Sequence, residues 1–126
     1  MNFTNYFELS KEFSEVYLED SYVLGYLEDY NQLEFLIEFV LTEKSPFYSS
    51  PESGNQYCYK KGRLIFPGIK AIEWKRQTFK KTTDLNGEID YGNIDSFVKE
   101  EKKYHLSGDW GEVFIESEAP QLNFRT

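Results

Sequence analysis

The sequence contains one cysteine and one histidine among its 126 residues. A single thiol, Cys58, cannot form an internal disulfide, so nothing indicates an oxidising compartment and we expect a cytoplasmic protein. Zinc sites use several cysteine and histidine ligands, and a hydroxyl or thiol nucleophile usually needs a histidine base. We therefore expect no zinc site, a structural role for His105 in its predicted strand, and a small buried apolar side chain at Cys58.

Export and membrane segments are missing as well. The first residues have no basic region followed by an apolar run, so we expect no secretion signal. The longest apolar-looking tract, residues 33–41, contains Glu34 and Glu38 and is much shorter than the ~20 residues that a membrane helix needs. We therefore expect no membrane partner.

Positive charge is scarce and unevenly placed. The formal net charge is −8, from 14 Lys and Arg against 22 Asp and Glu. Residues 1–45 contain ten acids and two bases, residues 46–81 two acids and eight bases, and residues 82–126 ten acids and four bases. Phosphate binding needs a cationic face, so we expect no nucleic acid, although residues 60–81 interleave bases with aromatics as single-strand binders do. Acids that cluster in space attract a basic partner; the alternative is that they are solvated strand faces.

Aromatic residues, in contrast, are abundant. They make up 18% of the chain, as 11 Phe, 10 Tyr and 2 Trp, and each can bury about 150–250 Å² of surface. The hydrophobic fraction of 40% is too high for intrinsic disorder. We expect residues 1–126 to form a single domain.

The clearest periodic signal lies in residues 32–42. As a strand, this segment places a mixed set of residues on one face and five apolar residues on the other: Leu33, Phe35, Ile37, Phe39 and Leu41. As a helix, it also forms an apolar stripe, but Phe35 and Phe39 then lie towards water beside Glu34 and Glu38. The strand buries more apolar surface, so the segment is predicted to be a strand.

Short strands separated by turns account for most of the remaining chain. Residues 3–13 are predicted to be a short helix or an irregular arm, and residues 45–55 a loop. A tight hairpin is predicted around Lys61-Gly62, and Asn86-Gly87 is the strongest turn signal in the sequence. The predicted strands are 21–28, 32–42, 56–60, 63–66, 69–75, 80–85, 88–91, 103–106, 112–116 and 121–125. This pattern predicts a mainly β fold, an antiparallel β-sandwich or incomplete barrel of about eight strands with at most one short N-terminal helix.

The acid-rich stretch 84–95 matches an EF-hand calcium loop only in part. With Gly87 at the sixth position, the first position falls on Thr82 and the twelfth on Asn93, so the two most important ligands are missing. An Asn-Gly hairpin explains the same residues without a metal, and we expect no metal site.

Candidate contact residues are aromatic side chains and one acid. Five are expected to bind a partner: Tyr17, Tyr26, Tyr30, Asp109 and Trp110. Aromatic anchors ringed by charge suit tight protein partners. The Asp109–Trp110 pair also fits a sugar-binding platform, although packing of Trp110 in the core is the preferred interpretation.

Three stretches together carry a resemblance to known proteins: Asp20-Ser-Tyr-Val-Leu-Gly25, Gly87-Glu-Ile-Asp-Tyr-Gly-Asn-Ile-Asp95 and Gly108-Asp-Trp-Gly-Glu-Val-Phe-Ile115. They resemble small, uncharacterised bacterial β domains of the general kind that includes immunity proteins of contact-dependent toxin systems. These stretches consist of turns and strands and contain no catalytic signature. The resemblance implies a small, acidic, cytoplasmic protein that acts by binding.

The leading hypothesis from the sequence is a non-enzymatic binding protein, an immunity-type inhibitor whose acidic face blocks a basic effector protein. The alternatives are a small-ligand or carbohydrate-binding module and a carboxylate-based enzyme, since 22 acids always offer pairs at a suitable distance. The expected partner is another protein, no cofactor is expected, and the oligomeric state stays open.

Overall fold

The computed structural model describes residues 3–78, 82–83 and 89–124. Two short 3-10 helices, Tyr6–Glu8 and Glu12–Glu15, precede the long second strand. The strands in chain order are β1 Phe3–Asn5, β2 Val16–Glu28, β3 Leu33–Leu41, β4 Cys58–Phe66, β5 Ala71–Gln77, β6 Thr82–Thr83, β7 Ile89–Asp90, β8 Ser96–Glu100, β9 Lys103–Gly108, β10 Gly111–Glu116 and β11 Gln121–Asn123.

The strands form two main sheets and a small ribbon. The five-stranded sheet has the order β1-β8-β9-β10-β5, the four-stranded sheet has the order β11-β4-β3-β2, and β6 pairs with β7. All of these pairings are antiparallel. The predicted mainly β, antiparallel sandwich is therefore confirmed. In place of the predicted helix or arm at residues 3–13, the chain forms β1 and the two 3-10 helices.

Strand β3 lies at the centre of the four-stranded sheet, because it pairs with β2 on one side and with β4 along its whole length on the other. Its five odd-numbered residues are at most 3% exposed, as the alternation in the sequence predicts. Phe35 reaches across the sandwich to Trp110, with 5.1 Å between ring centroids. Phe66 on β4 similarly contacts Phe97 and Tyr104 of the other sheet, at 5.7 and 5.6 Å. Aromatic side chains therefore join the two sheets.

The predicted hairpin at Lys61-Gly62 is wrong. Residues 58–66 form one continuous strand in which Gly62 pairs with Ile37 of β3. A Cβ atom at Gly62 would lie 2.7 Å from the backbone oxygen of Asn123 and 3.0 Å from the ring of Phe124. The glycine therefore permits a close approach between neighbouring strands and not a reversal of the chain.

Within the described residues, each of the other predicted segments contains a strand, with 80–85 described only at 82–83 and 88–91 only at 89–91. Two features were not predicted. Strand β2 begins five residues before the predicted 21–28 segment, and β8 is a strand that the sequence pattern did not indicate. Asn86-Gly87 lies outside the described residues, while the flanking β6 and β7 pair with Thr82 opposite Asp90.

Substitution of Gly62 by alanine tests the close approach of β4 and the C-terminal strand. We expect Gly62→Ala to lower the free energy of unfolding by about 1–3 kcal/mol, because the added methyl group must displace backbone and ring atoms. Gly25→Ala is the matched control on β2, since a Cβ there meets its nearest atom at 3.9 Å, an ordinary contact. Urea unfolding followed by circular dichroism measures both variants, and equal stabilities for them would contradict the packing described here.

Candidate functional site

The outer side of the four-stranded sheet carries four tyrosines, Tyr17, Tyr22, Tyr57 and Tyr59, here called the tyrosine face. Because β3 buries its odd-numbered residues, its even-numbered residues and their cross-strand partners lie on the outer side. The register pairs Tyr17 and Tyr59 with the same β3 residue, Val40, from opposite sides. The four rings thus collect where β2, β3 and β4 run side by side.

Three rings of the tyrosine face contact one another, with Tyr59 between Tyr22 and Tyr57. The ring centroids of Tyr22 and Tyr59 are 6.4 Å apart, and those of Tyr57 and Tyr59 are 6.2 Å apart in an edge-to-face arrangement. Val40 is wholly buried although it lies on the outer side, so the surrounding side chains cover it. Tyr22, Tyr57 and Tyr59 therefore form a connected aromatic cluster, and Tyr17 lies on the same side of the sheet, across a cleft from Tyr57.

Two carboxylates, Glu38 and Asp20, lie near this aromatic surface. Glu38 lies between Tyr22 and Lys61 in one cross-strand row. The pKa of the Tyr59 phenol is raised above its ordinary value, first by burial and then by its neighbours Tyr22, Glu38, Tyr57 and Asp20. Tyr59 therefore keeps its proton throughout the neutral range and presents a hydroxyl group in a negative local potential.

The tyrosine face is concave on both sides of Tyr17, whose side chain is among the exposed large hydrophobic residues at 46%. A cleft of about 480 Å³ separates Tyr17 from Tyr57 and from the loop that contains Tyr48. A second cleft of about 400 Å³ lies between Tyr17 and Phe7. Exposed Lys44 and buried Thr42 line both clefts as well. The Tyr17 side chain therefore projects between two neighbouring clefts.

A large bulge in β2 sets the position of Tyr17. The chain advances from Tyr17 to Tyr22 on β2 while β3 advances only from Val40 to Glu38, so β2 has extra residues here. The Ser21 hydroxyl closes the bulge by donating to the Tyr17 carbonyl at 2.6 Å and accepting from the Val40 amide at 2.9 Å.

The Tyr6 hydroxyl holds the bulge from its other side. It accepts from the backbone amide of Leu18 at 3.2 Å and donates to the Glu19 carboxylate at 2.8 Å. Burial raises the pKa of Tyr6, so the fold stabilises the neutral phenol relative to the phenolate. The first 3-10 helix thus fixes the bulge that displays Tyr17 and Glu19.

The sequence-predicted contact residues do not form one site. Tyr17 belongs to the tyrosine face, whereas Tyr30 is 95% exposed in the turn at the opposite end of β2 and β3. The seven residue steps of β3 between Leu33 and Val40 separate the two by roughly 24 Å. Tyr26 is half-buried: its ring packs 5.6 Å from that of Trp74, and its hydroxyl accepts from the side-chain Nε2 of Gln77 at 2.6 Å.

Trp110 is not a surface residue, which corrects its assignment as a partner-binding anchor. Its side chain is 0% exposed, and its indole nitrogen donates to the Asn93 carbonyl at 3.0 Å. Stacking on a sugar ring requires an exposed indole face, whereas this indole packs against Phe35 and Trp74 in the core. Asp109 is exposed beside it, and its backbone carbonyl accepts from the Thr78 hydroxyl at 2.6 Å.

Sequence reasoning missed Tyr22, Tyr57 and Tyr59, although a signal for two of them was present. Cys58 is buried, as expected from the sequence. Because side chains alternate along a strand, the residues on either side of a buried position point outwards. The predicted burial of Cys58 therefore already implies that Tyr57 and Tyr59 share the outer face. Tyr22 needed the bulged register of β2, which no pattern in the sequence indicates.

The remaining titratable candidates lie away from the tyrosine face. His105 Nε2 lies 2.7 Å from Glu112 Oε2, and the imidazole stacks on Phe114 at 4.3 Å on the outer side of the five-stranded sheet. Of the stretch considered for calcium, residues 84–88 lie outside the described part, and Asp90 Oδ1 accepts from the Gly92 amide at 2.8 Å. Within residues 3–78, 82–83 and 89–124, no group of three or more His, Cys, Asp or Glu side chains is placed to hold a metal ion.

Comparisons of the chain with protein-family models, with curated proteins and with solved structures give no match. Among the described residues, no helix has the length and apolar character that crossing a membrane requires.

The Tyr6 hydroxyl gives a prediction about stability and pH. The folded-state pKa of Tyr6 is raised by burial, so its contribution is complete below the ordinary phenol pKa of about 10 and is lost as the pH rises further. Tyr6→Phe leaves the Leu18 amide without its acceptor, and we expect the free energy of unfolding at pH 7 to fall by about 1–3 kcal/mol. Above pH 10, stability should decline less steeply in the variant than in the wild type.

Chemical denaturation at a series of pH values between 7 and 11 measures both effects. Tyr30→Phe is the control at pH 7, where the exposed ring leaves stability unchanged. A Tyr6→Phe protein as stable as the wild type at pH 7 would show that the hydroxyl does not hold the bulge.

Proposed function

We propose that the protein binds a basic protein partner through the tyrosine face and thereby inhibits it, in the manner of an immunity protein. The observation that carries the proposal is the placement of four tyrosines, Tyr17, Tyr22, Tyr57 and Tyr59, on the same side of a sheet with carboxylates nearby. The resemblance to small bacterial β domains supports a bacterial and cytoplasmic setting, and both are parts of the proposal.

The aromatic content of the face supports a protein partner. Tyrosine is enriched in protein interfaces because its ring buries a large area at a low cost in side-chain entropy while its hydroxyl group still forms hydrogen bonds. Energetic hot spots are commonly tyrosine, tryptophan or arginine near the centre of an interface. Tyr17, between two clefts, has the shape of an anchor that enters a matching surface on the partner.

The charge around the face supports a basic partner. Acidic residues beside the tyrosines are Glu19, Asp20, Glu38 and Glu43, against Lys44 and Lys61. The net charge of −8 adds a long-range attraction that accelerates encounter with a cationic protein. The rings of such a face determine which surface shape fits it, and its carboxylates favour partners with positive charge.

The test begins with the purified protein, immobilised and exposed to a lysate of the source organism at low salt. The protein captured by the wild type is identified, purified and measured by calorimetry against Tyr17→Ser and against Glu38→Gln. We expect Tyr17→Ser to weaken binding about 30-fold, as loss of a hot spot of roughly 2 kcal/mol does. Glu38→Gln should weaken binding less and reduce its dependence on salt.

Tyr30→Ser is the matched control, because Tyr30 is a more exposed tyrosine at the opposite end of the same two strands. It should leave the affinity unchanged. Equal losses for Tyr17→Ser and Tyr30→Ser, an acidic partner, or an affinity that does not change with ionic strength would each contradict the proposal.

A further inference from the structure

A cavity of about 540 Å³ opens at the end of the sandwich beside the tyrosine face. This cavity, here called the end cavity, lies between the second 3-10 helix, the loop at residues 45–47, β4 and the C-terminal strand. Val16 lines both the end cavity and the cleft beside Tyr17, so the two features are neighbours. Its apolar wall includes Phe47, Leu122 and Phe124. Small-ligand sites commonly occupy roughly 300–1,000 Å³.

Glu15 is the unusual residue of the end cavity. It is 9% exposed and lines the cavity. Its backbone carbonyl accepts from the Thr42 amide at 2.9 Å, but its carboxylate has no hydrogen bond or ion pair with any residue in the described part of the chain. No buried side-chain oxygen of the described residues lacks a partner, so the carboxylate oxygens of Glu15 reach the solvent in the cavity. A ligand that brings positive charge and N–H donors into the cavity can pair with this carboxylate.

Glu12 adds a second carboxylate to the same cavity. Glu12 and Glu15 are three residues apart in the second 3-10 helix, and residues at that spacing in a 3-10 helix lie directly above one another. Both line the end cavity. Two carboxylates in a cavity that also has apolar and aromatic side chains in its wall suit a ligand with a forked cationic head and an aliphatic stem.

A cation already lies at the aromatic wall. The Nζ atom of Lys60 is 5.4 Å from the centroid of the Phe47 ring, within the range of a cation–π contact. Phe47 in turn packs 5.2 Å from Phe124. In the described residues, Lys60 forms no ion pair with Glu12 or Glu15, so it does not neutralise these two carboxylates directly.

We propose that the end cavity binds the side chain of an arginine presented by the protein partner. The guanidinium lies against Glu15 and Glu12, and the aliphatic stem lies against Phe47 and Phe124. Arginine suits these groups better than lysine because its planar fork of five N–H donors serves two carboxylates at once and stacks on aromatic rings. The inference rests on the proposed function, since it names the side chain that a basic partner inserts.

The experiment uses N-acetyl-arginine amide as the probe of the arginine side chain, with N-acetyl-citrulline amide as its uncharged isostere. Titration of the full chain is followed through the backbone amide NMR signals of Phe47 and Phe124. We expect saturable shifts with the arginine probe, with a Kd near ~1 mM as befits a small ligand, and none with citrulline.

Variants separate the end cavity from general attraction of a cation to an acidic protein. Glu15→Gln should weaken binding of the arginine probe at least tenfold, and it should fold as the wild type does because glutamine keeps the shape of the side chain and the carboxylate forms no ion pair within the described residues. Phe47→Ala, in an exposed loop, should weaken binding several-fold. Glu52→Gln removes one exposed acid elsewhere in the chain and should leave binding unchanged. Equal affinities for wild type and Glu15→Gln, or equal binding of arginine and citrulline probes, would overturn the inference.

The purified partner distinguishes this inference from the proposed function. Arginine binding at Glu15 without any effect of Tyr17→Ser on partner affinity would support the end cavity and contradict the tyrosine face. Partner binding that depends on Tyr17 but is unchanged by Glu15→Gln would support the tyrosine face and overturn the arginine assignment.

Discussion

Strand β3 buries alternate side chains against the five-stranded sheet, and this alternation fixes both the core and the outer surface. A pleated strand cannot turn one set of side chains inwards without turning the other set outwards. Burial of Phe35, Ile37 and Phe39 therefore places Glu38 and Val40 on the outer side. Since β2 and β4 both pair with β3, the tyrosines opposite Val40 gather on that side as well.

The sequence predicted what periodicity alone determines. The alternation of residues 32–42 and the burial of Cys58 were visible because each depends on neighbours along the chain. Close approaches between distant segments were not visible. Gly62 resembles a turn residue locally. Its lack of a side chain instead allows the backbone oxygen of Asn123, about sixty residues later in the chain, to come close to β4.

The candidate site was predicted less well than the fold, because it depends on register. Of the five residues expected to bind a partner, Tyr17 lies on the tyrosine face, while Trp110 packs in the core. A tryptophan in a turn between two glycines has no local feature that separates an exposed ring from a buried one. Tyr22 reaches the face through the bulge of β2, which hydrogen bonds from Ser21 and Tyr6 define. Such bonds join residues that the sequence does not bring together.

Acidic residues of the N-terminal third lie at two different features near the same end of the sandwich. Glu38 and its neighbours border an aromatic surface of the kind that protein partners cover. Glu15 instead lies nearly buried in a cavity with aromatic walls. Because Val16 lines both the end cavity and a cleft beside Tyr17, one partner can cover the surface and fill the cavity together. Under the proposed arginine assignment, the acidic residues at this end of the sandwich select a guanidinium group.

Aromatic NOE spectroscopy tests most directly whether the alternation of β3 produces the tyrosine face. The account predicts cross-peaks between the rings of Tyr22 and Tyr59 and between those of Tyr57 and Tyr59, whose centroids lie 6.4 and 6.2 Å apart. It predicts none from Tyr59 to the core ring of Phe39, which is buried and pairs with Lys60. A slip of one residue in the pairing of β3 with β4 would turn Tyr59 inwards, towards Phe39. Cross-peaks from Tyr59 to Phe39, with none to Tyr22, would contradict the account.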